Sequence, residues 1–217
     1  NERLPVVEFN RELRDRNLII EDFQIKLRDI PKDLNQRCGK YLSYQDLIEC
    51  GDTQAKQKID NLPIQLETFS ALNNLANEIL DPVIDYFGMI KLTYGFCSSK
   101  LSKKVEGGIA PSLDQHSSCE LNSKGKLICD RLGAAVDFIV DDEDMYEVAA
   151  WIVENTNFDR LYFYGADRPI HVSAGPENSR SIVILKTSRN GKRIPKVIRQ
   201  DDFLNLLVER LDQEKPT

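Results

Sequence analysis

Two histidines, His116 and His171, are the only ones in a chain of 217 residues. The first lies in Ser112 to Asp137, SLDQHSSCELNSKGKLICDRLGAAVD, and the second in Arg168-Pro-Ile-His-Val-Ser173. Neutral imidazole and carboxylate both suit a borderline divalent metal, and two histidines with one carboxylate are a common way to hold a catalytic zinc while leaving one position open. His116, Asp137 and His171 are therefore read as a three-ligand Zn²⁺ site. The competing reading is that both histidines are ordinary polar residues of a core or a turn. Five cysteines are present, but none form a CxxC pair, so a four-cysteine zinc site has no support. Cys97 as a nucleophile would need a histidine to activate it, and both would be spent on metal.

The elements that must position these residues belong to one moderately sized domain. A hydrophobic share of 41% over 217 residues is enough for one core and too little for two full domains. The longest apolar runs, such as Ser181-Ile-Val-Ile-Leu185, fall far short of a membrane span, and no apolar leader opens the chain. A net charge of -6 and a pI near 5.1 argue against a general nucleic-acid surface. The odd, sparse cysteines read as reduced thiols, so a cytoplasmic setting is expected. The chain begins at Asn1 without methionine, which reads as an excised piece or a processed product with room for other domains of a longer protein.

Residues 1–40 mix charges with short apolar clusters, Leu18-Ile-Ile20 and the alternation Phe23, Ile25, Leu27, and are read as an arm or linker; residues 41–217 are read as the domain. Asn61, two residues before Pro63, is a helix-start signal. The apolar spacing from Leu66 to Phe87 predicts one long helix ended by Gly88. Ile90, Leu92, Tyr94 and Phe96 alternate with Lys91, Thr93 and Gly95, which predicts a strand with those four on one face. A short helix is expected within Ser98 to Val105, closed by Gly107-Gly108. Asn122-Ser-Lys-Gly125 is turn chemistry inside a hairpin-like insertion after His116. Val136 to Val140 reads as a buried strand, and Asp141 to Asp144 as an acidic start for the helix carrying Tyr146, Val148, Ala149 and Ile152. Strands are expected at Arg160 to Tyr164, Ile170 to Ser173 and Ser181 to Leu185. After the Asn190-Gly191 turn, a terminal helix runs from Phe203 to Leu211. This order gives an α+β fold, a mostly antiparallel sheet with flanking helices.

The same residues resemble the D-Ala-D-Ala metallopeptidases, a family that shares its fold with lysostaphin-type peptidases and the hedgehog domain. The resemblance rests on Gly95-Phe-Cys-Ser98, on Gly107-Gly108 leading to Ser112 and His116, on Gly133-Ala-Ala-Val-Asp137 and on Ile170-His-Val-Ser173. Upstream, Leu42-Ser-Tyr-Gln-Asp-Leu47, Ile59-Asp-Asn-Leu-Pro63 and the long helix resemble phage-type members, as does Asn155 to Leu161, NTNFDRL. The likeness covers Tyr41 to Lys186. It implies a hedgehog-like fold, zinc on His116, Asp137 and His171, and hydrolysis of an amide bond in a peptide or peptidoglycan-like substrate.

The chain also departs from the family's pattern. An insertion separates His116 from Asp137, and Asp130 stands at the family's closer spacing. Cys97 replaces an arginine that polarises the substrate carbonyl, and Tyr164 stands where a catalytic glutamate is carried. Asp167, the nearest carboxylate to the expected place, is the candidate general base. Tyr164 is the candidate oxyanion partner, and Arg168 is ranked ahead of Arg131 and Arg180 as the replacement cation. Ser112, Asp130, Arg131 and Ser173 are candidates for support around the ligands. Because the metal half of the pattern is kept and the proton-transfer half is not, two further readings stand beside the hydrolase. One is a domain that keeps zinc for structure or recognition, and the other is an enzyme acting on a different bond within a larger protein.

Overall fold

A computed structural model of the chain describes residues 31, 33–49, 51–105, 109–187 and 193–213. The expectations for Leu18-Ile-Ile20, for Phe23, Ile25 and Leu27, for Gly107-Gly108 and for the Asn190-Gly191 turn lie outside the described residues, as does Cys50. Helices α1 (Tyr44–Ile48), α2 (Asp52–Gln57), α3 (Leu66–Leu75) and α4 (Asp81–Phe87) lead into β1 (Ile90–Tyr94) and the short α5 (Ser99–Ser102). Two 3-10 turns, Pro111–Leu113 and Gln115–Ser117, precede β2 (Ala134–Val140), α6 (Met145–Asn155), β3 (Arg160–Phe163), β4 (Ile170–Ala174), β5 (Ser181–Thr187), β6 (Arg193–Ile198) and α7 (Gln200–Gln213). The strands form one six-stranded sheet in the order β1-β2-β4-β3-β5-β6. Every neighbouring pair is antiparallel except β3 with β5, so the α+β class expected from the element order is the one observed.

Alternation along β2 and β4 divides the sheet into two unlike faces. Val136, Phe138, Val140, Ile170, Val172 and Ala174 are buried on one face, against which α3 and α6 pack. Asp137, His171 and Ser173 are the residues between them and occupy the other face. Helix α6 begins where the acidic run predicts: the Asp144 carboxylate accepts a hydrogen bond from the Tyr146 amide at 2.7 Å. Its Met145, Val148, Ala149, Ile152 and Val153 are buried, one apolar stripe at helical spacing.

The long helix expected from Leu66 to Phe87 is not uniform. A π turn spans Ala76–Leu80, immediately before α4, which carries Pro82 in its first turn. Proline lacks an N–H and its ring crowds the preceding turn, so a widened turn accommodates it without ending the apolar face. Asn61 does not cap this helix. Its amide donates to Ile48 O at 2.8 Å and Phe96 O at 2.7 Å, and its Oδ1 accepts from the Ser98 amide at 2.8 Å. The helix start is satisfied instead by Glu120 from the insertion, whose carboxylate accepts from the amides of Ile64 and Gln65 at 3.0 Å each and from the Thr68 hydroxyl at 2.8 Å. The insertion turn forms around Asn122 and Gly125, with a single bridge between Leu121 and Leu127. Cys38, inside the stretch read as an arm, is fully buried in the core.

Candidate metal centre

Asp137 and His171 face each other across the β2–β4 ladder as a register pair, which fixes their side chains on one face by backbone hydrogen bonds alone. His116 arrives from the Gln115–Ser117 turn and is clamped from β1's continuation. Its ring Nδ1 lies 2.9 Å from Gly95 O, and its backbone carbonyl accepts from the Cys97 amide at 2.8 Å. The Asp114 side chain, at the N-cap of that turn, accepts from the His116 amide at 3.1 Å. With Nδ1 donating to a carbonyl, neutral His116 carries its lone pair on Nε2, the tautomer a metal needs there.

That Nε2 converges with the other two donors. It lies 3.1 Å from His171 Nδ1 and 3.2 Å from Asp137 Oδ1, and His171 Nδ1 is 2.8 Å from the same oxygen. Among the described residues these three form the one group of histidine, cysteine or acidic side chains that could hold a metal ion. Ligands on a tetrahedral zinc stand about 3.4 Å apart given bond lengths near 2.1 Å, so the donor set fits a zinc ion once the three pairs open by about 0.2–0.6 Å. Both imidazoles are buried, while 26% of the Asp137 side chain is exposed, so solvent reaches the trio from the carboxylate side.

Burial opposes charge on both partners, and their mutual attraction outweighs it. Burial pushes the Asp137 carboxyl up, but His116 and His171 pull it below the usual carboxylate range. Burial likewise disfavours charged His116, yet Asp137, then Asp114 and the Gly95 carbonyl, raise its pKa above that of free imidazole.

Two tyrosines flank the trio that the sequence does not single out. A bulge in β1 lets Leu92 pair with Phe138 and Tyr94 with Asp137, so Thr93 is the extra residue and Tyr94 turns onto the polar face. This corrects the expectation that Leu92 and Tyr94 share one face. The Tyr94 ring meets the His116 ring edge-on at 4.5 Å. Tyr162 pairs with His171 across β3–β4, and its ring meets the His171 ring at 5.0 Å and 89°. Burial, followed by the Cys97 thiol beside it, pushes the Tyr94 phenol above its ordinary range, so it stays protonated. Burial also pushes Cys97 up to about 11, against a nucleophilic role.

Behind the trio lies a buried polar network. Ser173 Oγ donates to Gln115 Oε1 at 2.8 Å, and Gln115 Nε2 donates to Leu132 O at 2.8 Å and Asp159 Oδ2 at 2.9 Å. Asp159 also accepts from Arg160 and from the Ser179 amide. Gln115 precedes His116, so the network anchors the turn that presents the His116 ring. Gly133 is required where β2 begins: its φ is +80°, and a Cβ there would meet Ala174 O at 2.0 Å.

The remaining candidates are more scattered. Ser112 and Asp130 are exposed and joined by a 2.9 Å hydrogen bond from the Asp130 amide to Ser112 O. Arg131 donates from Nη1 to Leu113 O at 3.0 Å and to the Tyr162 hydroxyl at 3.3 Å. Tyr164 follows the end of β3 and is half-buried, while Asp167 and Arg168 are exposed in the β3–β4 turn. That turn is fixed to α6 by a 2.9 Å hydrogen bond from the Met145 amide to Ala166 O. Arg180 is committed elsewhere, donating to Thr156 O and Val153 O and lying over the Phe158 ring. Among the described residues no helix is long and apolar enough to cross a membrane. No family model, curated protein or solved structure matches the chain.

Proposed function

We propose that the chain is a zinc-dependent hydrolase that cleaves an amide bond in a peptide or peptidoglycan-like substrate, with the hedgehog-like fold of the D-Ala-D-Ala metallopeptidases it resembles. The observation that carries this reading is the convergence of His116 Nε2, His171 Nδ1 and Asp137 Oδ1, all within 4.8 Å of one another, from three separate elements. When bound, zinc supplies Lewis acidity, polarising a carbonyl and lowering the pKa of a coordinated water. The chain's part is to hold His116 in the Nε2 tautomer through Gly95 O, to aim His171 and Asp137 from paired strands, and to leave the Asp137 side open. Proton transfer is assigned to Asp167, and oxyanion support to Tyr164, both in or beside the β3–β4 turn next to His171.

The test is hydrolysis of a panel of peptides and peptidoglycan fragments by zinc-loaded protein. A positioned general base contributes about 10²–10⁴-fold, so Asp167→Asn should lower turnover at least tenfold with zinc content unchanged. Full activity in that variant rejects the assignment of the base. A second reading, a zinc domain kept for recognition or structure within a longer protein, is favoured by one observation. Among the described residues no carboxylate other than Asp137 joins the metal group. Zinc-loaded protein that cleaves nothing in the panel would favour it.

A further inference from the structure

Strand β1 ends the sheet: β2 pairs with one side of it, and no strand among the described residues pairs with the other. An edge strand presents backbone N–H and C=O groups that a further extended segment can meet. Gly51, at the start of α2, lies against the end of β1, where a Cβ on it would stand 3.3 Å from Thr93 O. Residues 90–92 instead border a groove of about 420 Å³. That volume is in the range of pockets that receive a ligand, about 300–1,000 Å³, and far above what a water molecule needs. Leu42, Met89, Ile90 and Leu92 give it an apolar wall, and α1 lines it with Gln45, Asp46 and Glu49. Leu42 and Ile90 are buried while Met89 is 61% exposed, so the apolar wall runs out into solvent without a cover among the described residues.

The chain enters the domain beside this groove. Leu34 O accepts from the amide of Gln45, a groove residue, at 2.8 Å, and Gln36 O accepts from the Tyr44 amide at 3.2 Å. Upstream, Phe23, Ile25 and Leu27 alternate with Gln24, Lys26 and Arg28, a period of two that sets three apolar side chains on one side of an extended segment. Leu27 and Leu34 are seven positions apart, a reach of up to about 23–25 Å, whereas three residues of a strand span only about 10 Å. The link is long enough to bring the segment to the groove and short enough to keep it there at high effective concentration. The charges agree as well. The groove is lined by two acids and no base, and residues 23–28 carry Lys26 and Arg28 and no acid.

We propose that residues 23–27 of the same chain dock in this groove along the outer edge of β1, with Phe23, Ile25 and Leu27 against Leu42, Met89, Ile90 and Leu92. Ile90 and Leu92 stand opposite Val140 and Phe138 in the β1–β2 register, on the helix side of the sheet. The docked segment therefore extends the apolar face by a further strand and closes an edge that another chain could pair with. Neither the groove nor the segment contains a residue of the metal centre, so the inference is independent of the hydrolase reading.

The experiment reads amide hydrogen exchange and side-chain NOEs on the full, isotope-labelled chain. Amides of residues 23–28 should exchange at least about tenfold more slowly than in a free peptide of the same sequence, as expected for a segment released only by local opening. NOEs should connect Ile25 with Met89 or Leu92. Ile25→Asp in the segment and Met89→Lys in the groove should each bring those amides to the free-peptide rate, with exchange in β2 and α6 unchanged. Ile25→Val should keep the protection. Met89 is exposed, so Met89→Lys tests the groove without disturbing the core. Free-peptide rates at residues 23–28 in the wild type overturn the proposal. Protection that survives Met89→Lys also overturns it, because the segment is then held elsewhere. Sedimentation and exchange across a dilution series separate the remaining occupant. Protection that holds on dilution supports docking within one chain, whereas protection that falls as a dimer dissociates gives the groove to a second copy and overturns it.

Discussion

The two faces of the β2–β4 ladder are built from alternate residues of the same two strands, yet they do different work. Val136, Phe138, Ile170 and Val172 fill the space beneath α3 and α6 and are fully buried. Asp137 and His171, one residue away along each chain, spend their polar atoms on each other and on His116. Backbone pairing fixes both faces at once, so the rigidity that the apolar face provides is what aims Asp137 and His171 on the other. The faces differ in what a truncation should cost: stability first on the helix side, metal first on the polar side.

The largest effect expected is on the helix side. Phe138→Ala removes a fully buried ring and should cost about 3–5 kcal/mol in denaturant unfolding, with a cavity that the surrounding helices cannot close. Zinc content of the fraction that remains folded should stay near that of the wild type. A variant that folds normally but has lost its zinc would mean the two faces are not separable in this way. At the start of the same strand, Gly133→Ala forces a Cβ against Ala174 O and a left-handed φ on alanine. A loss of about 2–4 kcal/mol is expected there, in the range of strain-driven single mutations. An unchanged unfolding midpoint would contradict the close approach of β2 to the end of β4.

On the polar face, Asp137→Ala should abolish zinc retention and also lower stability, by about 1–3 kcal/mol, because two buried imidazoles lose their shared acceptor. Melting curves with and without chelator separate the contributions. Chelator should lower the wild-type melting temperature and leave the variant's unmoved.

Titration sharpens the same contrast. The folded Asp137 carboxyl lies below its unfolded value, so its contribution is present above about pH 4 and is lost as pH falls through the folded pKa. His116 is shifted upward, so its contribution is present below about pH 6.5 and is lost as pH rises through its folded pKa. Metal-free protein should therefore weaken between neutral and mildly alkaline pH, whereas zinc-loaded protein should hold or gain stability there, since zinc needs neutral imidazole. Denaturant midpoints across that range check this; identical pH dependence in loaded and stripped protein would break the account. The smallest effect concerns thiols. Burial pushes Cys119 up to about 12 and Cys97 and Cys129 up to about 11, so none of the three should react measurably with a disulfide reagent at pH 8 until the protein unfolds.

The comparison also shows what could be read from the residues alone. Strands β2, β3, β4 and β5, helix α6 and the turn at Asn122 announce themselves by alternation, helical spacing and turn chemistry, and the three candidate ligands by type. What stayed hidden depends on contacts distant in sequence. Asn61 has the look of a helix cap, but it ties α1 to the segment after β1, and the cap comes from Glu120, 56 residues beyond Ile64. Tyr94 falls on the apolar face by simple alternation, and a one-residue bulge reverses it. Strand β6 carries Pro195 and mixed charges, which mask its period, although as an edge strand it tolerates both. Gln115 and Asp159 are common polar residues whose pairing across 44 positions no local pattern reveals.

The central claim is that His116, Asp137 and His171 bind a metal ion together, and zinc stoichiometry tests it most directly. Elemental analysis of protein purified without added metal should find about one zinc per chain, as expected for a set of two imidazoles and one carboxylate. His116→Ala and His171→Ala should each lose it while remaining folded by circular dichroism. Wild-type zinc content in both folded variants would contradict the account.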